Sequence, residues 1–230
     1  MKKIGIILAM KEELEALISK LEIAKEHKIY DLTVFECNYK NNTCYLVESG
    51  IGKVNAARST QLLISNFSVD CILNVGVAGS ISKDVRKCDI VIADKLVQHD
   101  YDITAFNHEK GYIPNIGVYI PCDNTLVELC KTIKMDTNVL VGTVSSGDIF
   151  VTEESMAKKI NTKFGAVCVE MEGAAIVQVC YLCKVPFIVI RSISDSIYEE
   201  NNKMAYDDFL ELSSNMVSDF VIKLLNKIQW

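Results

Sequence analysis

The sequence lacks three features that would place it in other protein classes. It has no excess of basic residues, since the net charge is -6 over 230 residues, whereas a nucleic-acid-binding surface needs clustered Lys and Arg. Its first apolar run, Ile4 to Met10, ends at Lys11 and is too short for a membrane span. It has no repeat, linker or low-complexity tract. These absences predict one domain over residues 1–230, located in the cytoplasm, with small molecules as partners and neither nucleic acid nor a membrane.

Metal-binding and disulfide patterns are also missing. Three histidines are scattered, and nine cysteines at irregular spacing fit neither a disulfide framework nor a four-ligand zinc site. Only Cys180 and Cys183 form a CxxC pair, and they end the helix-like apolar run Ala174 to Cys183. Small buried side chains are therefore favoured over a redox or metal pair. We predict no metal and no cofactor.

Short apolar runs without polar alternation, typical of strands buried on both faces, recur along the chain. Amphipathic patterns typical of helices lie between several of them, for example Met10 to Leu21, and another ends the chain at Phe209 to Leu224. This alternation predicts an α/β fold with a twisted, largely parallel (mixed) central sheet and helices on both faces. His99 to Pro121 has weak periodicity and is predicted to be a long, functional loop. The runs are Ile4–Ala9, Val69–Val75, Ile90–Ala93, Val139–Val144, Ala166–Val169 and Phe187–Ile190.

Glycines, hydroxyls and carboxylates follow six apolar runs, and three of these runs are followed by acids that could act in catalysis. Because ligands of α/β sheets bind outside the carboxyl ends of the strands, we expect these groups to meet in one crevice. Cleaving a purine from ribose requires protonation of the base, accommodation of positive charge on the sugar and activation of a water. Glu13 could hold the water, Glu172 could accept hydrogen bonds from two ribose hydroxyls, and Asp195 could protonate purine N7.

Each acid also has a simpler structural interpretation. In this interpretation Glu13 is an acid at a helix start, Glu172 belongs to the first turn of the next helix, and Asp195 caps the segment that follows Ser194. For any one of them alone the structural interpretation is favoured. Carboxylates at three different strand ends together favour a site.

Seven segments resemble motifs of the 5′-methylthioadenosine/S-adenosylhomocysteine nucleosidases, in the same order and at similar spacing. VEMEG with RSISD indicates the nucleoside phosphorylase superfamily, and AMKEE indicates its hydrolases. The resemblance covers essentially the whole chain. The segments are AMKEELEAL (9–17), SGIGKVNAA (49–57), NVGVAGS (74–80), HDYDITAF (99–106), SSGDIFV (145–151), VEMEGAA (169–175) and RSISDS (191–196).

The resemblance implies the fold of that superfamily and a hydrolase that releases adenine from methylthioadenosine, S-adenosylhomocysteine and 5′-deoxyadenosine. It implies that Glu13 orients the attacking water and that Asp195, beside Ser194, protonates the purine. The other residues that it places at the substrate are Met10, Ile51, Ala78, Gly79, Phe150, Val151, Glu170, Met171, Glu172 and Tyr206.

A homodimer with shared sites is the second implication of the resemblance. Ile103 and Phe106, with Pro114 nearby, match residues that reach the partner's 5′-alkylthio group. An aromatic residue in a loop already suggests an interface. Three positions depart from the family pattern: Val77 replaces a Ser of some members, Ser80 replaces a Gly, and Tyr206 stands where Phe is expected.

Two other functions remain as alternatives. A purine nucleoside phosphorylase would need Arg at the first and third strand ends, where this chain has Glu13 and Asn74, with Arg58 the only nearby candidate. A nucleoside-binding protein without activity would be expected to lack one of the acids. The 5′ substituent stays open among methylthio, homocysteinyl, deoxy and aminofutalosine forms. We further predict that Arg191 points away from Asp195, toward Glu170 or Glu172, because pairing would lower the pKa of the proposed acid.

Overall fold

The computed structural model describes residues 2–198 and 202–228, without the side chains of residues 202–208. These residues include ten strands and six α-helices. The strands are β1 Lys2–Leu8, β2 Glu22–Ile29, β3 Leu32–Tyr39, β4 Asn42–Glu48, β5 Cys71–Ser80, β6 Ile90–Gln98, β7 Ile120–Pro121, β8 Val139–Ser146, β9 Ala166–Glu170 and β10 Phe187–Ser196. The helices are α1 Lys11–Ile18, α2 Lys53–Phe67, α3 Asn124–Lys131, α4 Glu154–Phe164, α5 Gly173–Cys183 and α6 Asn202–Leu225.

The strands form one mixed sheet, which confirms the predicted α/β fold. The order is β10-β6-β8-β9-β5-β1-β4-β3-β2, with β7 added to β6. Because β10 also pairs with β5, the central strands curve round and close on themselves. Parallel pairs join β1 to β4 and β5, β5 to β10, and β8 to β6 and β9.

The hairpin β2–β3 was not among the predicted elements. Strand β2 is mostly exposed and rich in charged residues, so it has no apolar run by which it could be recognised. It pairs antiparallel with β3, which in turn pairs with β4. These pairs make the sheet less parallel than expected.

Several strands extend beyond the apolar runs that predicted them. Strand β5 continues to Ser80 and β10 continues to Ser196, and the two remain paired over this length, with one register shift between Ile193 and Asp195. The small and polar residues that follow the apolar runs therefore lie within the last part of β5 and β10 and not in loops after these strands. Backbone pairing between the two strands keeps this part of the chain extended. Asp195 accordingly lies within β10, opposite Gly79 of β5.

The core confirms that the central strands are buried on both faces. In β1, Ile4, Ile6, Ile7 and Leu8 are all inaccessible to solvent. Two pairs of helices pack against each other, α1 with α6 and α2 with α5. No helix within the described ranges is long and apolar enough to span a lipid bilayer.

The long loop from His99 to Pro121 contains only a short 3-10 turn, Thr104–Phe106, and strand β7, so the prediction of a loop is confirmed. All nine cysteines are free, with Cys180 buried and Cys183 exposed. Among the described residues, no group of three or more His, Cys, Asp or Glu side chains is placed to hold a metal ion.

Candidate active site

An open pocket with a cavity volume of about 100 Å³ lies at the carboxyl ends of β1, β5, β9 and β10. The structure brings together here most of the residues predicted from sequence, as expected for an α/β sheet. Ala9, Val77, Ile149 and Val169 also line it, and each adjoins a predicted residue in the chain. The predicted residues in the lining are Met10, Glu13, Ile51, Ala78, Gly79, Phe150, Val151, Glu170, Met171, Glu172, Ser194 and Asp195.

Glu13 is the third residue of α1, and its carboxylate is held from both sides. Oε2 accepts hydrogen bonds from the backbone N–H groups of Ala9 (2.8 Å) and Met10 (3.1 Å), and Oε1 accepts one from Val77 N–H (2.9 Å). A Cβ atom at Gly76 would lie 2.5 Å from Oε1, so any other residue there would displace the Glu13 carboxylate. Burial raises the pKa of Glu13 more than the Arg191 charge and these hydrogen bonds lower it. Glu13 therefore both caps the helix and lines the pocket.

Glu172 immediately precedes α5 and is fixed by the loop before α2. Its Oε1 accepts a hydrogen bond from the Gly52 N–H at 2.7 Å, and no described residue donates to Oε2. Burial, followed by the charge of Glu170, raises the pKa of Glu172 to about 8. The site thus contains a carboxyl group with an oxygen available to a ligand hydroxyl.

Glu170 lines the pocket, but its carboxylate is occupied by protein donors. Oε2 accepts hydrogen bonds from the backbone N–H groups of Glu172 (3.1 Å) and Gly173 (2.7 Å), and Oε1 accepts one from the Ser146 hydroxyl. These bonds satisfy N–H groups at the start of α5. Glu170 is thereby fixed as a support for α5 and Glu172.

Arg191 forms a buried ion pair with Glu170, at 2.5 Å between Nη2 and Oε2. The guanidinium also donates to the Asn74 side chain and to the Ile190 carbonyl (3.1 Å). Burial lowers the pKa of Arg191, but the adjacent carboxylates outweigh it and leave the pKa raised. The prediction that Arg191 points toward Glu170 or Glu172 is confirmed.

Asp195 lies in β10 beside Gly79 of β5, at the register shift of the two strands. It is buried, and Oδ1 accepts a hydrogen bond from the Ser194 hydroxyl at 2.8 Å. A Cβ atom at Gly79 would lie 2.9 Å from Oδ2, so the glycine gives the carboxyl group room. Asp195, in β10, and Glu13, in α1, thus reach one pocket from different elements.

The mouth of the pocket is apolar. Ile51 and Phe150 are 53% and 48% exposed, although both line the cavity, while Val151 is buried. A half-exposed aromatic ring on a pocket wall is suited to stacking against a flat base. No Arg or Lys is found among the described lining residues. Arg58 instead pairs with Asp31 at the surface.

The structure does not bring every predicted residue to this pocket. Ile103, Phe106 and Pro114 do not line it, and Phe106 is 76% exposed. Such exposure is what a residue that serves a partner's site would show in a single chain. The side chain of Tyr206 lies outside the described residues.

Comparisons with known proteins show which proteins the chain is similar to. A family model described as the phosphorylase superfamily matches residues 3–226. A 5′-methylthioadenosine/S-adenosylhomocysteine nucleosidase of Staphylococcus carnosus is 40% identical over 228 residues, which cover 98% of this chain and 100% of the relative.

Two solved structures from Helicobacter pylori have the same fold. The first is a nucleosidase of the same name, in complex with a ligand that joins an aminopyrrolopyrimidine to a propynylthiomethyl pyrrolidine; its TM-score is 0.94 at 34% identity, with 99% of each chain covered. The second is a futalosine hydrolase, with a TM-score of 0.94 at 33% identity and coverage of 99% and 98%.

Proposed function

Because the chain belongs to the phosphorylase superfamily and, within it, to the 5′-methylthioadenosine/S-adenosylhomocysteine nucleosidases, we propose that it releases adenine from both nucleosides, and from 5′-deoxyadenosine, by protonation of purine N7 and attack of water on the sugar. It is a hydrolase that acts on N-glycosyl bonds. The observation that carries the mechanism is the presence of Glu13, Glu172 and Asp195 in one pocket, each held by a different set of contacts.

The proposed reaction divides the chemistry among these acids. Asp195 donates a proton to N7, so the bond between N9 and C1′ breaks with the electron pair going to the base. Glu13 orients a water toward C1′ and takes its proton as the new C–O bond forms. Glu172 accepts hydrogen bonds from the ribose hydroxyls through its available oxygen. The products are adenine and the free thioribose.

The apolar mouth supports the rest of the substrate assignment. Phe150 would stack on adenine, and the Val151 backbone would read its edge, beside Ala78 and Gly79. Met10, Ile51 and Met171 would cover the sugar side. We place the 5′-alkylthio group toward the open mouth, where Ile103 and Phe106 of a second subunit would complete the site in a homodimer.

The absence of a cation from the described lining gives the first prediction, which tests the function as a whole. A phosphate at the position of the attacking water would face the carboxyl group of Glu13, and the nearby Arg191 does not line the pocket and is paired with Glu170. Cleavage of methylthioadenosine is therefore expected at full rate without phosphate, with free methylthioribose as the product. Purified protein is assayed with and without phosphate, and the sugar is identified by mass spectrometry. A sugar 1-phosphate formed only with added phosphate would assign the chain to the phosphorylases.

The second prediction concerns the subunit contact. Phe106→Ala should weaken binding of alkylthio substrates more than binding of adenine, because loss of an apolar cover costs on the order of 1 to 3 kcal/mol. Tyr30→Ala is the matched control, since Tyr30 is an even more exposed aromatic residue, at 83%, in the turn between β2 and β3. Sedimentation should give a dimer, and calorimetry should give the two affinities. Equal weakening of both ligands, or a monomer with full activity, would contradict the shared site.

A further inference from the structure

A hydrogen-bonded cluster next to the pocket consists of Lys53, Asp100 and Asp148. We call it the Lys53–Asp100–Asp148 cluster. The Lys53 ammonium group donates to Asp100 Oδ1 at 2.7 Å, and the Asp148 backbone N–H donates to Asp100 Oδ2 at 2.9 Å. The Lys53 backbone N–H donates to Asp148 Oδ1 at 2.8 Å. The three residues therefore close a ring of contacts among the start of α2, the loop after β6 and the loop after β8.

The cluster borders two segments that line the pocket. Asp148 directly precedes Ile149, Phe150 and Val151, all of which line the cavity. On the other side, Gly52 precedes Lys53, and its N–H donates to Glu172. Gly52 has φ of +97°, and a Cβ atom there would lie 3.2 Å from Asp148 Oδ1. The proposed base contacts and the proposed ribose contact thus meet at one set of hydrogen bonds.

The cluster is also fastened to the body of the protein. The Lys53 ammonium group donates to Gln98 Oε1 at 3.1 Å, and the Gln98 amide donates to Gln178 of α5 at 2.7 Å. The side chains of Lys53 and Asp100 are only 19% and 18% exposed, so solvent screens this pair less than a surface pair. Burial alone would raise the pKa of Asp100, but the hydrogen bonds from Lys53 and Asp148 outweigh it and leave the pKa lowered.

We propose that Asp100 is a positioning residue for the reaction assigned above. Through Lys53 and Asp148 it fixes residues 147–151 and the Gly52–Glu172 contact. It thereby determines where the base and the ribose bind relative to each other. This proposal rests on the proposed function. Asp100 does not line the pocket and acts through its neighbours. Loosening the cluster should therefore affect substrate binding before it affects the chemical step.

The test compares two kinds of substitution at the same ring of bonds. Asp100→Ala removes both acceptors, and Asp148→Ala removes the acceptor for the Lys53 N–H. Both should raise KM for methylthioadenosine about tenfold or more, with a smaller change in kcat. Asp148→Asn keeps an oxygen at that position and should recover most of the loss. Asp219→Asn, in the ion pair that joins α6 to Lys20 after α1, is the control.

A second measurement needs no substrate. Hydrogen exchange followed by mass spectrometry should show faster exchange over residues 147–151 in the two alanine variants, with unchanged exchange in β1 and β5. If the wild type does not cleave methylthioadenosine, the proposed function fails while the exchange result still tests the cluster. If the wild type is active and both alanine variants keep its KM and its exchange, the positioning role is wrong. An equal loss in Asp148→Asn and Asp148→Ala would also overturn it.

Discussion

Asp195→Asn is expected to slow turnover of methylthioadenosine by about 10² to 10⁴-fold, as for the loss of a general acid, while adenine still binds. The asparagine side chain can keep a hydrogen bond to N7 but has no proton to transfer at neutral pH. An ordinary aspartate is ionised there, so its surroundings must favour the protonated form. The geometry around this acid is that Asp195 is buried and that the Arg191 guanidinium pairs with Glu170.

The Asp195 experiment separates binding from rate. Single-turnover kinetics gives the rate, and calorimetry with adenine gives the affinity. Asp123→Asn is a suitable control, because Asp123 caps α3 through the Leu126 N–H and asparagine caps helices equally well. Activity of the wild type should fall at high pH as the acid ionises, and a substrate with carbon in place of N7 should not be cleaved. Normal turnover by the variant, or ready cleavage of that substrate, would remove Asp195 from the acid role.

Glu13→Gln is expected to lose turnover by a similar factor, about 10² to 10⁴-fold, because an amide cannot accept the proton of the attacking water. The structure adds a second effect. Both carboxylate oxygens accept backbone hydrogen bonds, so the glutamine NH₂ group must face the Val77 N–H or those of Ala9 and Met10. A lost bond and an opposed donor should cost about 1 to 3 kcal/mol of stability.

The loss of activity in Glu13→Gln must therefore be measured on folded protein. Thermal unfolding shows whether the variant is folded at the assay temperature, and adenine binding shows whether the pocket is intact. Glu12→Gln, one residue earlier in α1 and exposed, is the control. If Glu13→Gln kept most of its activity, Glu13 would be only the acid that caps α1.

The same assignment fixes the sign of the pH dependence on the acid side. The pKa of Glu13 is raised by burial, and that of Glu172 is raised to about 8 by burial and by Glu170. Glu13 accepts a proton only when ionised, and Glu172 accepts two hydroxyl hydrogen bonds best when ionised. As pH falls, kcat should fall because Glu13 becomes protonated, and KM should rise because Glu172 becomes protonated below about 8.

The sequence predicts those strands and site residues that can be recognised from a single residue or a single apolar run. The apolar run Ile4–Ala9 predicts β1 because a strand buried on both faces tolerates little else. The acids Glu13, Glu172 and Asp195 were found because carboxylates follow several such runs. Arg191 was placed correctly because a cation beside the proposed acid would oppose its function.

Features that depend on a distant partner could not be predicted in the same way. Strand β2 is charged and exposed, and only its pairing with β3 gives it an extended conformation. The end of β10 looks like a loop until β5 is placed beside it. Asp100 and Asp148 are 48 positions apart. Their contact depends on the closure of the sheet. Nothing in the sequence next to either residue predicts it.

The distribution of thiols has a practical consequence for work with the protein. Seven of the nine cysteines are buried, Cys88 is partly covered and Cys183 is exposed. Burial also raises the pKa of Cys37 to about 11 and that of Cys44 and Cys130 to about 12, so few of these thiols are in the reactive thiolate form at neutral pH. Cys183, at the end of α5, is thus a natural attachment point for a maleimide dye or spin label. Labels at this position would test the proposed homodimer by the distance between its subunits, without any engineered cysteine.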